Sequence, residues 1–252
     1  MKILFKPQTE WLPPEEFKDL SSYDEIAIDL ETKDPNLKTM GSGSVTGQAK
    51  IVGIALAVEG WSAYYPIAHE GGGNMDRKKV MDYFRTILNY PSKKIFHNAM
   101  YDVCFIRAEG LKINGTIIDT MISGSLVDEN RFRYDLGSLG RDYVGIGKNE
   151  AVLTETAKEW GVDPKSEMYK LPAMYVGEYA EQDAALTLKL WQEMKKQIIM
   201  EEVSSIFELE TELFPCLVDM RFLGVRVDVE GAHALKQKLV QEEKECLQRV
   251  KK

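Results

Sequence analysis

The chain has 252 residues, 44% of them hydrophobic and 29% charged, which suits one sizeable globular domain with an appendage, or two small domains. A formal net charge of −8 argues against a broad electrostatic grip on duplex nucleic acid, which needs many lysine and arginine contacts to phosphate, and leaves room for a small pocket that works through cations. The longest apolar run, Ile51 to Val58, is too short to span a bilayer, the first residues lack the apolar length of a signal peptide, and Cys104, Cys216 and Cys246 are too few and too scattered for a disulfide framework or a zinc site.

In chain order, a short strand is predicted at Ile3 to Phe5 and a short helix over Glu15 to Leu20, followed by a buried strand, Ile26-Ala27-Ile28-Asp29-Leu30-Glu31. Alternation on that strand points Asp29 and Glu31 the same way, and a hard divalent cation is the natural counter-charge for two such carboxylates in a pocket; alone, the pair also suits a solvated strand end. The glycine- and serine-rich run from Asp34 to Lys50 reads as a loop. Ile51 to Val58 and Trp61 to Ile67 read as strands that complete an antiparallel meander. A helix over Asp76 to Asn89, a short strand at Lys94 to His97 and a helix from Ala99 to Glu109 come next. Ile117 to Thr120 is a strand-to-helix junction with Asp119 as the cap, and helices are predicted over Met121 to Val127, Asp135 to Tyr143 and Glu150 to Trp160.

A long helix from Ala173 to Met200, interrupted at Gly177, carries Tyr179 and Asp183 four residues apart on one face. A helix over Glu202 to Phe222, a short strand at Gly224 to Asp228 and a charged helix from Glu230 close the sequence. The order of elements describes an α/β fold, a mixed sheet with helices on its faces and a C-terminal helical extension. Trp61, Trp160 and Trp191 read as core or half-core residues, and Phe96, Tyr101 and Tyr175 as candidates for base stacking.

Four acids thus stand at element ends: Asp29, Glu31, Asp102 and Asp183, with Tyr179 one turn before the last. Two divalent ions about 3.5–4 Å apart need several carboxylates from different elements, and together hold the attacking and leaving oxygens of a phosphodiester displacement.

Asp29-Leu30-Glu31-Thr32, His97-Asn98-Ala99-Met100-Tyr101-Asp102 and Tyr179-Ala180-Glu181-Gln182-Asp183 resemble the three exonuclease motifs of the DnaQ-like superfamily in its tyrosine-bearing branch. The surroundings, including Tyr64-Tyr65-Pro66 and Ile118-Asp119-Thr120, resemble the proofreading domain of phage family-A DNA polymerases. The resemblance implies a ribonuclease H-like fold and a 3′–5′ exonuclease that releases nucleoside monophosphates from the 3′ end of single-stranded DNA. It implies two divalent ions, Mg²⁺ or Mn²⁺: Asp29, Glu31 and Asp183 on the first, and Asp29 with Asp102, through water, on the second. Tyr179 would hydrogen-bond the nucleophile, and Leu30, Thr32 and Asn98 would line the site or brace its ligands.

The implied boundaries are an exonuclease domain over residues 1–200 and, over 201–252, a segment resembling the start of a polymerase region. No later polymerase motif follows, so DNA synthesis is not expected of this chain, and a polymerase domain is the expected partner. A cytoplasmic monomer with no membrane contact is expected. An RNase D-like enzyme acting on RNA 3′ ends would carry the same five side chains. A catalytically silent domain that binds strand ends would be expected to have lost one of them.

Overall fold

The structure, a computed structural model, describes residues 9–250; the strand expected at Ile3 to Phe5 lies outside them. Five strands form one sheet in the order β3-β2-β1-β4-β5, with β1 (Glu25–Lys33) at its centre. β2 (Lys50–Val58) and β3 (Trp61–Pro66) make the antiparallel meander, whereas β4 (Lys93–Phe96) and β5 (Ile117–Asp119) run parallel to β1. The helices are α1 (Leu37–Met40), α2 (Gly43–Thr46), α3 (Arg77–Asn89), α4 (Ala99–Ala108), α5 (Thr120–Val127), α6 (Leu136–Leu139), α7 (Ala151–Trp160), α8 (Gly177–Met200), α9 (Ser204–Leu223) and α10 (Val229–Val250). The fold class is the α/β mixed sheet with flanking helices that the order of elements predicts.

The two faces of the sheet differ in side-chain size, and that difference positions the site. On one face Ala27, Ala55 and Ala57 join Ile95 and Ile118 in a core with Ala180, Ala184, Leu190, Trp191 and Met194 of α8. Small side chains on both surfaces let helix and sheet approach closely. The opposite face carries Ile26, Ile28, Leu30, Ile54 and Leu56, all buried. Tyr65 on that face meets Tyr83 of α3, with ring centroids 5.3 Å apart. The buried residues of α8 recur at Ala180, Asp183, Ala184, Thr187, Leu190, Trp191, Met194 and Ile198, a stripe at helical spacing in which Asp183 holds a position expected to be apolar.

α8 is tied down toward both ends. Glu181 Oε1 accepts from the Trp11 indole at 2.8 Å and from the Tyr64 backbone N–H of β3 at 3.0 Å. Glu25, which opens β1, accepts from Trp191 Nε1 at 2.9 Å, Gln192 Nε2 at 2.7 Å and Lys195 Nζ at 2.9 Å. Gly177 lies under the Trp11 ring: a Cβ there would fall 2.0 Å from Trp11 Cε2, so the helix must begin on a glycine.

Several local expectations are corrected. Residues 15–20 form an irregular strap, bent at Glu15 and Glu16, instead of a helix. Phe17 stacks on Tyr65, with centroids 5.6 Å apart, and Tyr83 donates to the Lys18 carbonyl at 2.7 Å. Tertiary contacts outweigh helix propensity there. The 34–50 loop contains the single turns α1 and α2, held where Asp34 accepts from the Gly43 N–H at 2.9 Å. The helix expected over 135–143 is α6 continued by a π turn over Gly140–Val144. Residues 173–175 form a 3₁₀ turn, and the long helix begins at Gly177. Gly224 to Asp228 is not a strand, because no strand among the described residues offers it a ladder. Trp191 is buried and Trp61 half-buried, but Trp160 is 48% exposed.

Lys94 is fully buried on β4, and its ammonium donates to the carbonyls of Tyr90 at 2.7 Å, Ser92 at 2.8 Å and Asn114 at 2.9 Å. Burial pulls its pKa down to about 8, so the ammonium remains charged at neutral pH and all three donors are used. Lys94→Met keeps the stem and strands those carbonyls. Water can reach the ends at Tyr90 and Asn114, so the expected loss is about 2 kcal/mol, read by urea denaturation at pH 7. An unchanged midpoint would show that the knot is energetically idle.

The chain divides into two compact units between Val218 and Asp219. In the second, Gly231 N–H donates to Asp228 at 2.9 Å at the start of α10, and Leu235, Leu239, Val240 and Leu247 of that helix are exposed. Among the described residues no helix is long and apolar enough to cross a membrane.

Candidate active site

β1 delivers the first two acids. Asp29 pairs with Ala55 and Glu31 with Gly53, and a bulge between Glu31 and Thr32 ends the regular alternation. The residues across from the acids on β2 are therefore minimal. Tyr64 fills the space over Gly53, where a Cβ would meet its hydroxyl at 2.0 Å. That hydroxyl lies 2.7 Å from His69 Nε2, while His69 Nδ1 lies 3.0 Å from the Leu171 carbonyl. Burial drives the His69 pKa down to about 4, so the ring is neutral. With Nδ1–H donating to the carbonyl, Nε2 accepts from the phenol, and Tyr64 forms a fixed floor beside Glu31.

α4 delivers Asp102. β4 pairs with β1 only as far as Ala27, and Asp102 accepts from the Leu30 N–H beyond that point at 3.0 Å. Asn98 makes the turn into α4 in the left-handed conformation, φ 62°. The Asp119 carboxylate holds that turn: it accepts from the N–H groups of Asn98 at 3.0 Å and Ala99 at 2.8 Å, and from Met121 at 2.8 Å, where it caps α5 as expected. His97 has a structural role, its Nδ1 2.8 Å from the Thr120 hydroxyl, which itself donates to the Phe96 carbonyl at 3.1 Å.

α8 delivers Tyr179 and Asp183. Lys148, from the loop before α7, forms an ion pair with Asp183 and donates to the Tyr179 hydroxyl at 3.2 Å. The other oxygen of Asp183, Oδ1, is buried with no partner.

The acids feel one another. Burial and then the Asp183 charge push the Asp29 pKa up to about 7, against the pull of Lys148. Burial, then Asp29 and Asp183, raise Glu31 well above the usual carboxylate range, and burial followed by Asp29 does the same to Asp102. Burial raises Asp183 in spite of Lys148. Tyr179 is pushed far up by burial and then by Asp183, Glu31 and Asp29, so it remains a neutral phenol. Among the described residues no three acid, histidine or cysteine side chains stand close enough about one point to hold an ion as they are placed. The donor chemistry nonetheless fits a hard divalent cation: the four acids are carboxylates that repel one another, with one buried oxygen unpartnered.

A pH dependence follows. Asp29 has a folded pKa above its unfolded value, so its contribution is fully favourable below the ordinary carboxylate range and is lost as pH rises through about 7. Glu31 and Asp102 act in the same direction and together outweigh the buried neutral rings of His69 and His97, whose pKa values, lowered to about 4, add stability as pH rises toward about 6.5. In EDTA the melting temperature should fall by about 5 °C or more between pH 5 and pH 8, and Asp29→Asn should reduce that fall. A melting temperature that rises over this interval would contradict the placement.

Of the other residues singled out, Thr32 Oγ1 lies 2.8 Å from the Tyr101 hydroxyl, and Asn98 is exposed at the mouth of α4. Leu30 is 6% exposed, with its side chain in the core, and meets the site through its N–H. Phe96 is fully buried and has no face free for a base; Tyr101 and Tyr175 are half-buried. Sequence reasoning missed Lys148, Glu181 and the Tyr64–His69 pair. Glu181 lies inside the third motif and Tyr64 inside the noted tripeptide Tyr64-Tyr65-Pro66, but nothing local marks Lys148.

A family model described as 3′–5′ exonuclease matches residues 6–199. A DNA-directed DNA polymerase of Pseudomonas phage M6 is 32% identical over 251 residues, which is 96% of this chain and 38% of the relative. The DNA polymerase DpoZ of Salmonella phage PMBT28 is 29% identical, over 86% of this chain and 33% of the relative. The chain thus spans 33–38% of the length of these relatives. Among solved structures, Brucella melitensis NrnC with bound Mg²⁺ matches with a TM-score of 0.57 and 15% identity, over 84% of this chain and 92% of the other. Escherichia coli RNase D matches at 0.51 and 20%, over 82% and 47%. At such identities these two likenesses speak to the fold alone.

Proposed function

The chain belongs to the 3′–5′ exonuclease family of family-A DNA polymerases, and from that premise we propose that it removes nucleoside monophosphates from the 3′ end of single-stranded DNA by metal-dependent phosphodiester hydrolysis. The observation that carries this reading is the set of mutually repelling acids, half-buried Asp29 and Glu31 with buried Asp102 and Asp183, around the neutral phenol of Tyr179. DNA is favoured over RNA because the relatives that match along the sequence are DNA polymerases.

Asp29, Glu31 and Asp183 would hold one Mg²⁺ or Mn²⁺, and Asp29 with Asp102 a second. Such ions, when bound, supply positive charge at the attacking water and at the leaving 3′ oxygen. The chain's own groups do the rest. Tyr179 cannot act as a base with its pKa driven so far up, so it donates or accepts a hydrogen bond at the water and aligns it with the phosphorus. The Leu30 N–H fixes the rotamer of Asp102. Thr32, braced by Tyr101, and Asn98 would meet the terminal nucleotide. Water adds to phosphorus, the P–O3′ bond breaks, and the products are a nucleoside 5′-monophosphate and a shortened strand ending in a 3′ hydroxyl.

Residues 1–200 would form the exonuclease domain and 201–252 the opening of a polymerase region. The exposed apolar residues of α10 support the second assignment, since such a stripe is what a helix presents to further protein. The test is digestion of matched single-stranded DNA and RNA oligonucleotides, labelled at either end, with Mg²⁺, Mn²⁺ or EDTA. Stepwise shortening of DNA from the 3′ end that EDTA abolishes is the expected result. Faster turnover of RNA would move the substrate to RNA, and no digestion by folded protein would leave a binding role.

A further inference from the structure

Lys148 is a charged group in direct contact with Asp183 and Tyr179 that the proposed chemistry does not use. Its position is built from both sides. The Ile146 N–H donates to the Gly140 carbonyl at 3.1 Å, and the Asn149 N–H donates to Gln182 Oε1 at 3.1 Å, so the loop that carries it is fastened to the π turn and to the residue before Asp183. Its stem runs past Gly137, where a Cβ would lie 3.6 Å from Lys148 Cγ. Its ammonium bonds one Asp183 oxygen and the Tyr179 hydroxyl, and lies 5.2 Å from the centre of the Tyr179 ring. One cationic side chain thus engages both functional groups of the third motif at once.

We infer that Lys148 is a positioning residue that competes with a divalent cation for Asp183: the ammonium holds Asp183 and Tyr179 in register, and an ion loads only by displacing it. The inference rests on the proposed metal site. A divalent ion and an ammonium both seek the same carboxylate oxygens, and the ion carries twice the charge. A lysine on a flexible four-carbon stem can yield, where a fixed backbone donor could not. The consequence is opposite in sign to that of an ordinary structural residue: removing the ammonium makes the ion bind more tightly, whereas removing a brace makes it bind less tightly.

The experiment is isothermal titration of Mn²⁺ into the full chain, stripped with EDTA and dialysed, for the wild type, Lys148→Met, Lys148→Gln and Lys148→Arg. The two neutral variants are carried together so that a folding failure of one leaves the comparison intact. The expected result is affinity about tenfold higher for the neutral variants, because a competitor has been removed from one carboxylate, and within about twofold of wild type for Lys148→Arg, which restores the cation. Unchanged or weaker Mn²⁺ binding in the neutral variants, with the wild type still binding, overturns the competition and leaves the metal site standing. No Mn²⁺ binding by folded wild type overturns both.

Discussion

Replacing Asp29 by alanine is expected to slow release of the 3′-terminal nucleotide by at least about a thousandfold, equivalent to ~4 kcal/mol of transition-state stabilisation, while raising the melting temperature of the protein in EDTA. Both effects have one origin. Asp29 lies on the central strand across from Ala55, within the fields of Asp183, Glu31 and Asp102. Its ionised form is costly to the fold, and burial with a like-charged neighbour shows this in a pKa pushed up to about 7. A residue kept at a cost to stability is the mark of a site, and here Lys148 relieves the repulsion only in part. Single-turnover digestion of end-labelled DNA measures the first effect and thermal melting in EDTA the second. A variant that digests at the wild-type rate would remove Asp29 from the chemistry. One that is inactive and also less stable would show that the acid serves the fold instead.

The strand that carries Asp29 was legible because its pattern is local: alternation alone places Asp29 and Glu31 on one face and Ile28 and Leu30 on the other. Asp183 was legible through its spacing, one turn after Tyr179 on the same face of a long helix, and the structure adds that it stands in the buried stripe of that helix. Asp119 was read as a cap for α5, which it is, but its grip on Asn98 and Ala99 depends on β5 lying beside β4, and no local pattern carries that pairing. Lys148 was invisible because a 35-residue separation from Asp183 is closed by the π turn after α6 and by the bond from Asn149 to Gln182. The strap over 15–20 was misread as a helix because Phe17 finds its partners in Tyr65 and Tyr83, far along the chain. Periodicity reports what a segment buries; it does not report which distant side chain meets it there.

Asp119→Ala is expected to cost about 3–4 kcal/mol of stability, since three backbone N–H groups each lose a charge-assisted bond and water only partly replaces them. Burial raises the Asp119 pKa, so part of what these bonds contribute is spent on keeping the carboxylate ionised, and the net loss stays below three full bonds. The effect should reach the site through a short chain of contacts. Asp119 fixes the left-handed turn at Asn98 and the first turn of α4, where Asp102 lies one turn in and accepts the Leu30 N–H. A shift of that turn by a fraction of an ångström misplaces Asp102, and such misplacements cost about a hundredfold in rate. Asp119→Asn retains one acceptor oxygen and should lose about half the stability, with a smaller fall in rate. Urea denaturation and single-turnover digestion of the same preparations read both quantities. If Asp119→Ala lost stability alone, with the rate unchanged, the turn at Asn98 would be held by the helix it begins, and the path from β5 to Asp102 would not carry the site.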